Sequence, residues 1–107
     1  MKKPNITEGE WEFIKRDGAF ASVLSDSRSI CRGYIREDGD YSDKEELNNM
    51  KAISAVPEMI DALVESIEAR KSHLIEWGLY THEEMIGDEV YRNQYNALKK
   101  AGCTDAN

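Results

Sequence analysis

The 107-residue chain has little of the material from which catalytic and metal sites are built. Cys31 and Cys103 lie far apart, in no CxxC pair and with no histidine at ligand spacing, which fits a reduced cytosolic protein. His73 and His82 are nine residues apart with Gly78 between them, and Glu76 lies one turn from His73. No third ligand follows at a standard spacing. Zinc needs three or four converging donors, so no metal and no cofactor are expected. Neither a nucleophile elbow nor a phosphate loop is present, and the reading is non-catalytic. No apolar run approaches the roughly 20 residues needed to span a bilayer. The basic start Met1-Lys2-Lys3-Pro4-Asn5 has no apolar stretch behind it, so it does not read as a secretory signal. Basic residues are also short: 14 Lys and Arg against 21 Asp and Glu leave a net charge of −7. That balance argues against direct nucleic-acid binding, which rests on lysines and arginines releasing counterions.

The chain is long enough for one modest core, and residues 1–107 are read as a single domain. Hydrophobic residues make up 40% and charged ones 33%, so the surface fraction is high without predicting disorder. A small core favours burial against a second copy, and a homo-oligomer is expected. The charge is uneven. Residues 1–41 hold seven basic and eight acidic side chains, whereas residues 42–107 hold seven and thirteen.

The two halves also differ in period. Trp11 and Phe13 alternate with Glu12 and Ile14, which marks a strand. Asp17-Gly18 is a hairpin turn signal, and 19–25 follows with Ala21 and Val23 on one side, Phe20 and Leu24 on the other. A third strand over 29–36 lies between Ser25-Asp26-Ser27 and the turn cluster Glu37-Asp38-Gly39-Asp40. From Ser42, which pairs with Glu45 as a capping box, the period becomes helical. Leu47, Met50 and Ile53 give a first helix its buried side; Pro57 then starts a longer one ending at Gly78. On that helix Met59, Ile60, Leu63, Val64, Ile67, Leu74 and Trp77 are expected inward. Thr81 with Glu84 forms a second capping box, Asp88 starts the last helix, and 103–107 is expected to be a flexible tail. The predicted fold class is α+β: a three-stranded antiparallel β-meander packed on a kinked helix and a C-terminal helical hairpin.

The central run Asn49-Met50-Lys51-Ala52-Ile53-Ser54-Ala55-Val56-Pro57-Glu58-Met59-Ile60-Asp61-Ala62-Leu63 resembles the N-A-x-L-I-A-A-A-P-E-L-L-E-A-L segment of small accessory proteins of tailed phages and prophages. Gly9-Glu10-Trp11 is similar to their opening strand, and the basic helix from Tyr95 to Gly102 to their closing one. The resemblance implies no common activity. It implies a provenance: a phage gene product in the host cytoplasm, acting on a host protein in takeover or counter-defence.

Two sets of residues are candidate binding surfaces. Glu58, Asp61, Glu65 and Glu68 form an acidic stripe on the outward face of the long helix, able to imitate a phosphate backbone toward a host protein. The same stripe is also what any amphipathic helix shows to solvent. Arg28, Arg32 and Arg36 repeat every four residues beside Tyr34, and on a regular strand they share one face. Guanidinium forks bind phosphate bidentately, so these four residues suit an alternative function: an oligomeric binder sequestering a phosphorylated nucleotide signal. Pairing with the chain's own excess of carboxylates is the more ordinary explanation of them. Trp77, Tyr80, Tyr91 and Tyr95 gather around the helical turn as core or as a contact surface.

Overall fold

A computed structural model describes residues 1–15, 20–26, 28–34 and 41–105. The elements are β1 (Glu12–Lys15), β2 (Phe20–Ser25), β3 (Arg28–Tyr34), α1 (Tyr41–Ser54), α2 (Val56–Glu76), α3 (His82–Met85) and α4 (Glu89–Lys100). The class is α+β. Two compact units divide the chain: Ile6–Pro57 in one, Met1–Asn5 with Glu58–Asn107 in the other. The division after Pro57 falls in the first turn of α2, just past Ala55, where α1 gives way to α2.

In the first unit, β1, β2 and β3 form an antiparallel sheet in that order. Phe13 lies opposite Val23, which lies opposite Cys31, so these three side chains share a face. That face meets α1. Ala21, Val23 and Met50 are its buried centre, with Trp11, Phe13, Ile30, Cys31, Leu47 and Ile53 packed around them. The inward side of β2 therefore agrees with its alternation. Trp11 Nε1–H donates to the Thr7 carbonyl at 2.9 Å, which lets the indole pack there without an unsatisfied donor.

The sheet is not regular. Val23 pairs with Cys31 but Leu24 pairs with Ser29, leaving Ile30 as an extra residue in β3. This β-bulge explains how the neighbours Ile30 and Cys31 both reach the core. It also reverses the alternation of everything before it. The helical half departs from expectation too: α1 begins at Tyr41, so Ser42 lies inside its first turn and not at its N-cap. The turn signals at Asp17-Gly18 and Glu37–Asp40 lie outside the described residues.

In the second unit, Ile60, Ile67 and Leu74 are the buried residues of α2, and Tyr91 and Leu98 those of α4. Both sets repeat at seven residues, about two helical turns, which keeps each on one narrow seam. Met59 and Trp77 were expected inward, yet they are 53% and 64% exposed. Met59 is rotated about 100° from Ile60, off the seam, and Trp77 lies past the last helical residue. Gln94 of α4 donates to Ser66 Oγ of α2 at 2.6 Å, and Arg70 of α2 bonds Asp88 at the start of α4, fixing the helical hairpin.

Two helices of this unit end the same way. Gly78 N–H donates to Ile75 O at 3.0 Å and Leu79 N–H to Leu74 O at 2.9 Å; Gly102 N–H donates to Lys99 O at 3.0 Å and Cys103 N–H to Leu98 O at 2.9 Å. Both are Schellman caps, which need a left-handed residue, and the glycines have φ of 87° and 95°. A Cβ at Gly78 would meet nothing within 4 Å, whereas at Gly102 it would come to 3.3 Å from Pro4 Cβ. Gly78→Ala is therefore expected to cost about 1 kcal/mol, the backbone term alone. Gly102→Ala should cost more, by the displacement of Pro4. Urea unfolding of the two variants checks the order.

Candidate functional site

The site is built around the chain reversal between α2 and α4. After the Gly78 cap, Thr81 Oγ1 accepts from Glu84 N–H at 3.2 Å and starts α3, the N-cap role its spacing implies. Asp88 then caps α4 by accepting from Tyr91 N–H at 2.9 Å. The same carboxylate takes Arg70 as a fork, Nε at 2.9 Å and Nη2 at 2.6 Å. Arg70 in turn has its guanidinium 5.3 Å from the centre of the Trp77 ring. The Arg70 guanidinium and the Tyr91 N–H hold the Asp88 carboxyl down to about 2, well below the usual carboxylate range.

An open cavity of about 460 Å³ lies in the same unit, lined by residues of the reversal, of α2 and α4, and by Met1 and Asp105. Met85 and Tyr91, both buried, lie at its base, and Ile75 and Tyr80, 46% and 69% exposed, at its rim. His82, Glu83, Tyr95 and Asp105 supply its polar wall, with Lys71 also lining it. The rings form a continuous group. His82 lies 4.4 Å from Tyr95 between centroids, and Tyr95 stacks on Tyr91 at 5.9 Å and 23°. His82 Nδ1 and the Tyr91 hydroxyl are 2.8 Å apart, and the Tyr95 hydroxyl donates to Asp105 at 3.0 Å. Burial raises the pKa of both phenols, and at Tyr95 the hydrogen bond to Asp105 adds to it. Both keep their protons at neutral pH. The wall thus offers ring faces and hydroxyls, not phenolates.

Asp105 falls in the stretch expected to be a flexible tail. Instead Lys2 and Thr104 exchange backbone hydrogen bonds of 2.7 and 2.9 Å, Cys103 is buried, and Asp105 holds Tyr95. Nothing local in Cys103-Thr104-Asp105 signals this, since Thr104 is held by Lys2 and Asp105 by Tyr95, both distant in sequence. Residues 106 and 107 are outside the described set. Trp77, Tyr80, Tyr91 and Tyr95 were visible as an aromatic group near the turn; Tyr91 is core, Trp77 and Tyr80 are surface, and Tyr95 lies between. His82, which packs against Tyr91 and Tyr95, was not part of that group.

The residues nominated as binding sets fare differently. All four stripe carboxylates, Glu58, Asp61, Glu65 and Glu68, are exposed on α2. Two are already engaged: Asp61 pairs with Lys3 at 2.6 Å, and Glu68 Oε1 receives both the Met1 amino group at 3.2 Å and Lys71 at 3.4 Å. Burial pushes the Glu68 carboxyl up, but the Met1 amino group and Lys71 outweigh it and hold the carboxyl below its ordinary value.

The arginine ladder does not form. Arg28 lies opposite Ser25 and Arg32 opposite Ser22. Those serines are three apart on the uninterrupted β2, so the two arginines are on opposite faces of the sheet. The bulge at Ile30 is the cause. Arg36 and the side chain of Tyr34 lie outside the described residues.

Among the described residues, no group of three or more His, Cys, Asp or Glu is placed to hold a metal ion, and no helix is long and apolar enough to cross a membrane. No protein-family model, curated protein or solved structure matches the chain.

The Asp88 geometry has a pH signature. The carboxyl titrates near the ordinary 3.8 in the unfolded chain and near about 2 in the folded one, so the folded state resists protonation. Its stabilising contribution is complete above about pH 4 and is lost as the pH falls from there toward 2. Asp88→Asn keeps an N-capping side chain but loses the ionised fork. Urea unfolding should show the variant less stable at pH 6, with the gap to wild type closing progressively below about pH 4.

Proposed function

We propose that this protein is a non-catalytic accessory protein of a phage or prophage, which binds a host protein in the cytoplasm and blocks it. The helical unit is its working part. The observation that carries this reading is the cavity with Ile75 and Tyr80 exposed at its rim. An exposed tyrosine bordering a concave site is a residue type that dominates binding energy at protein interfaces, and Ile75 adds apolar area beside it. The net charge of −7, with Glu58 and Glu65 exposed on α2, gives a basic partner an electrostatic approach. The provenance comes from the Asn49–Leu63 resemblance, and the inhibitory role from that provenance.

The test uses tagged wild-type protein and two folded variants, Ile75→Ala with Tyr80→Ala, and Glu58→Lys with Glu65→Lys, in bacterial host lysate. The expected result is one host protein held in near-equal amount by the wild type. Binding should be at least about tenfold weaker to the rim variant, and the charge variant should mainly slow association at low salt. Capture that is indifferent to both variants, or no capture, overturns the reading.

A further inference from the structure

We propose that residues 1–4 are a releasable strap: a basic segment of the chain's own that occupies part of the acidic face of α2 and one wall of the cavity, and that a basic partner displaces. This inference rests on the partner-binding reading and adds the regulation of the surface that reading uses.

Residues 1–5 belong to the helical unit, although residues 6–57 separate them from the rest of it in the chain. Their contacts run in a line. The Met1 amino group reaches Glu68 at 3.2 Å and Lys3 reaches Asp61 at 2.6 Å, so the segment runs antiparallel to α2 over about two of its turns. Between them Lys2 exchanges backbone hydrogen bonds of 2.7 and 2.9 Å with Thr104, and Pro4 lies so near Gly102 that a Cβ there would come to 3.3 Å from it. The amino group and the two lysines make this segment basic in a chain of net charge −7. The acidic face thus already has an occupant, and it is an extended basic peptide.

What holds the strap is limited. The carboxylates of its two ion pairs are exposed, and such pairs contribute little. The Met1 side chain, 2% exposed, is its buried anchor, and the Lys2–Thr104 pair its backbone tie. Fixing four residues costs backbone entropy that so few contacts barely offset, which places the segment among those that open locally while the unit stays folded. One opening has two consequences. Asp61 loses Lys3 and Glu68 loses the Met1 amino group, keeping Lys71, so the face that Glu58 and Glu65 begin is extended along α2. Met1 also leaves the cavity wall, and Thr104 loses the tie that secures Asp105 against Tyr95. A basic partner gains most from the face the strap vacates, so the two compete, and each weakens the other's hold.

Two measurements on the full chain test it. The Lys2 and Thr104 amides donate to each other's carbonyls, so a strap that opens as one piece gives both the same protection from hydrogen exchange, at least about tenfold below that of Leu98 within α4. Lys3→Glu, which sets a like charge against Asp61, should lower that shared protection about three- to tenfold and leave Leu98 unchanged. For the competition, Lys2→Cys with Thr104→Cys, in a background of Cys31→Ala and Cys103→Ala, locks the strap when oxidised, because a hydrogen-bonded antiparallel pair has its Cα atoms about 5.5 Å apart. The probe is tetralysine amide at low salt. The form reduced with dithiothreitol should bind it at least about threefold more tightly than the oxidised form, with NMR shifts at Asp61 and Glu68. Equal affinity of the two forms, or protection of Lys2 and Thr104 equal to that of Leu98, overturns the inference. Host-protein capture that depends on Ile75 and Tyr80 but is indifferent to the lock also overturns it, and leaves the partner reading standing. Tetralysine binding strengthened by reduction, with no host protein captured, does the reverse.

Discussion

The Asp88 carboxylate is the fixed point of the helical unit. It accepts a backbone N–H from the first turn of α4 and two guanidinium N–H groups from α2, so it uses one ion to start a helix and to tie that helix to its neighbour. Either bond alone is ordinary. Together they fix the rotation of α4 about its own axis, because the cap direction and the Arg70 fork lie on the same side chain. That rotation decides which residues face inward. It buries Tyr91 three residues on, and stacks Tyr95 a further turn along, against it. The low proton affinity of Asp88 is the energetic trace of this double use.

The cavity follows from what surrounds that point. Thr81 and Gly78 set the ends of the short reversal, and the reversal brings His82 against Tyr95. The last wall comes from the two ends of the described chain: the Lys2–Thr104 bridge secures the segment that carries Asp105, and Asp105 orients the Tyr95 hydroxyl. No single element contains the site. His82, Tyr91, Tyr95 and Asp105 are each held by a partner outside their own turn, which is how a small unit makes a shaped surface without a large core.

Much of this was readable in the residues, and the exceptions have physical causes. Helix ends were legible because their chemistry is local: Thr81 and Asp88 are N-caps, and Gly78 supplies the left-handed residue that ends α2. The grouping of Ala21 with Val23 on one side of β2 was legible because they alternate regularly, and the packing of α1 decides that this side is inward. Arg28 and Arg32 misled because even spacing places residues on one face only along an unbroken strand. The bulge is carried by Ser29-Ile30-Cys31, with no glycine to mark it. Met59 misled because an apolar residue beside a seam looks periodic until the partner helix chooses a narrower stripe. Asp105 was invisible because its role depends on contacts with Tyr95 and on a bridge across the whole sequence.

The acidic stripe shows how structure reassigns a charged pattern. From the residues alone, four carboxylates at helical spacing read as one surface facing outward. In the folded unit the N-terminal segment lies along part of it, with Lys3 on Asp61 and the Met1 amino group on Glu68. Those exposed pairs add little stability individually. Their consequence is that Asp61 and Glu68 already have cations beside them, so an approaching basic surface gains less from them than from Glu58 and Glu65. Open charge of the kind Glu58 and Glu65 offer speeds encounter with a basic surface more than it holds one.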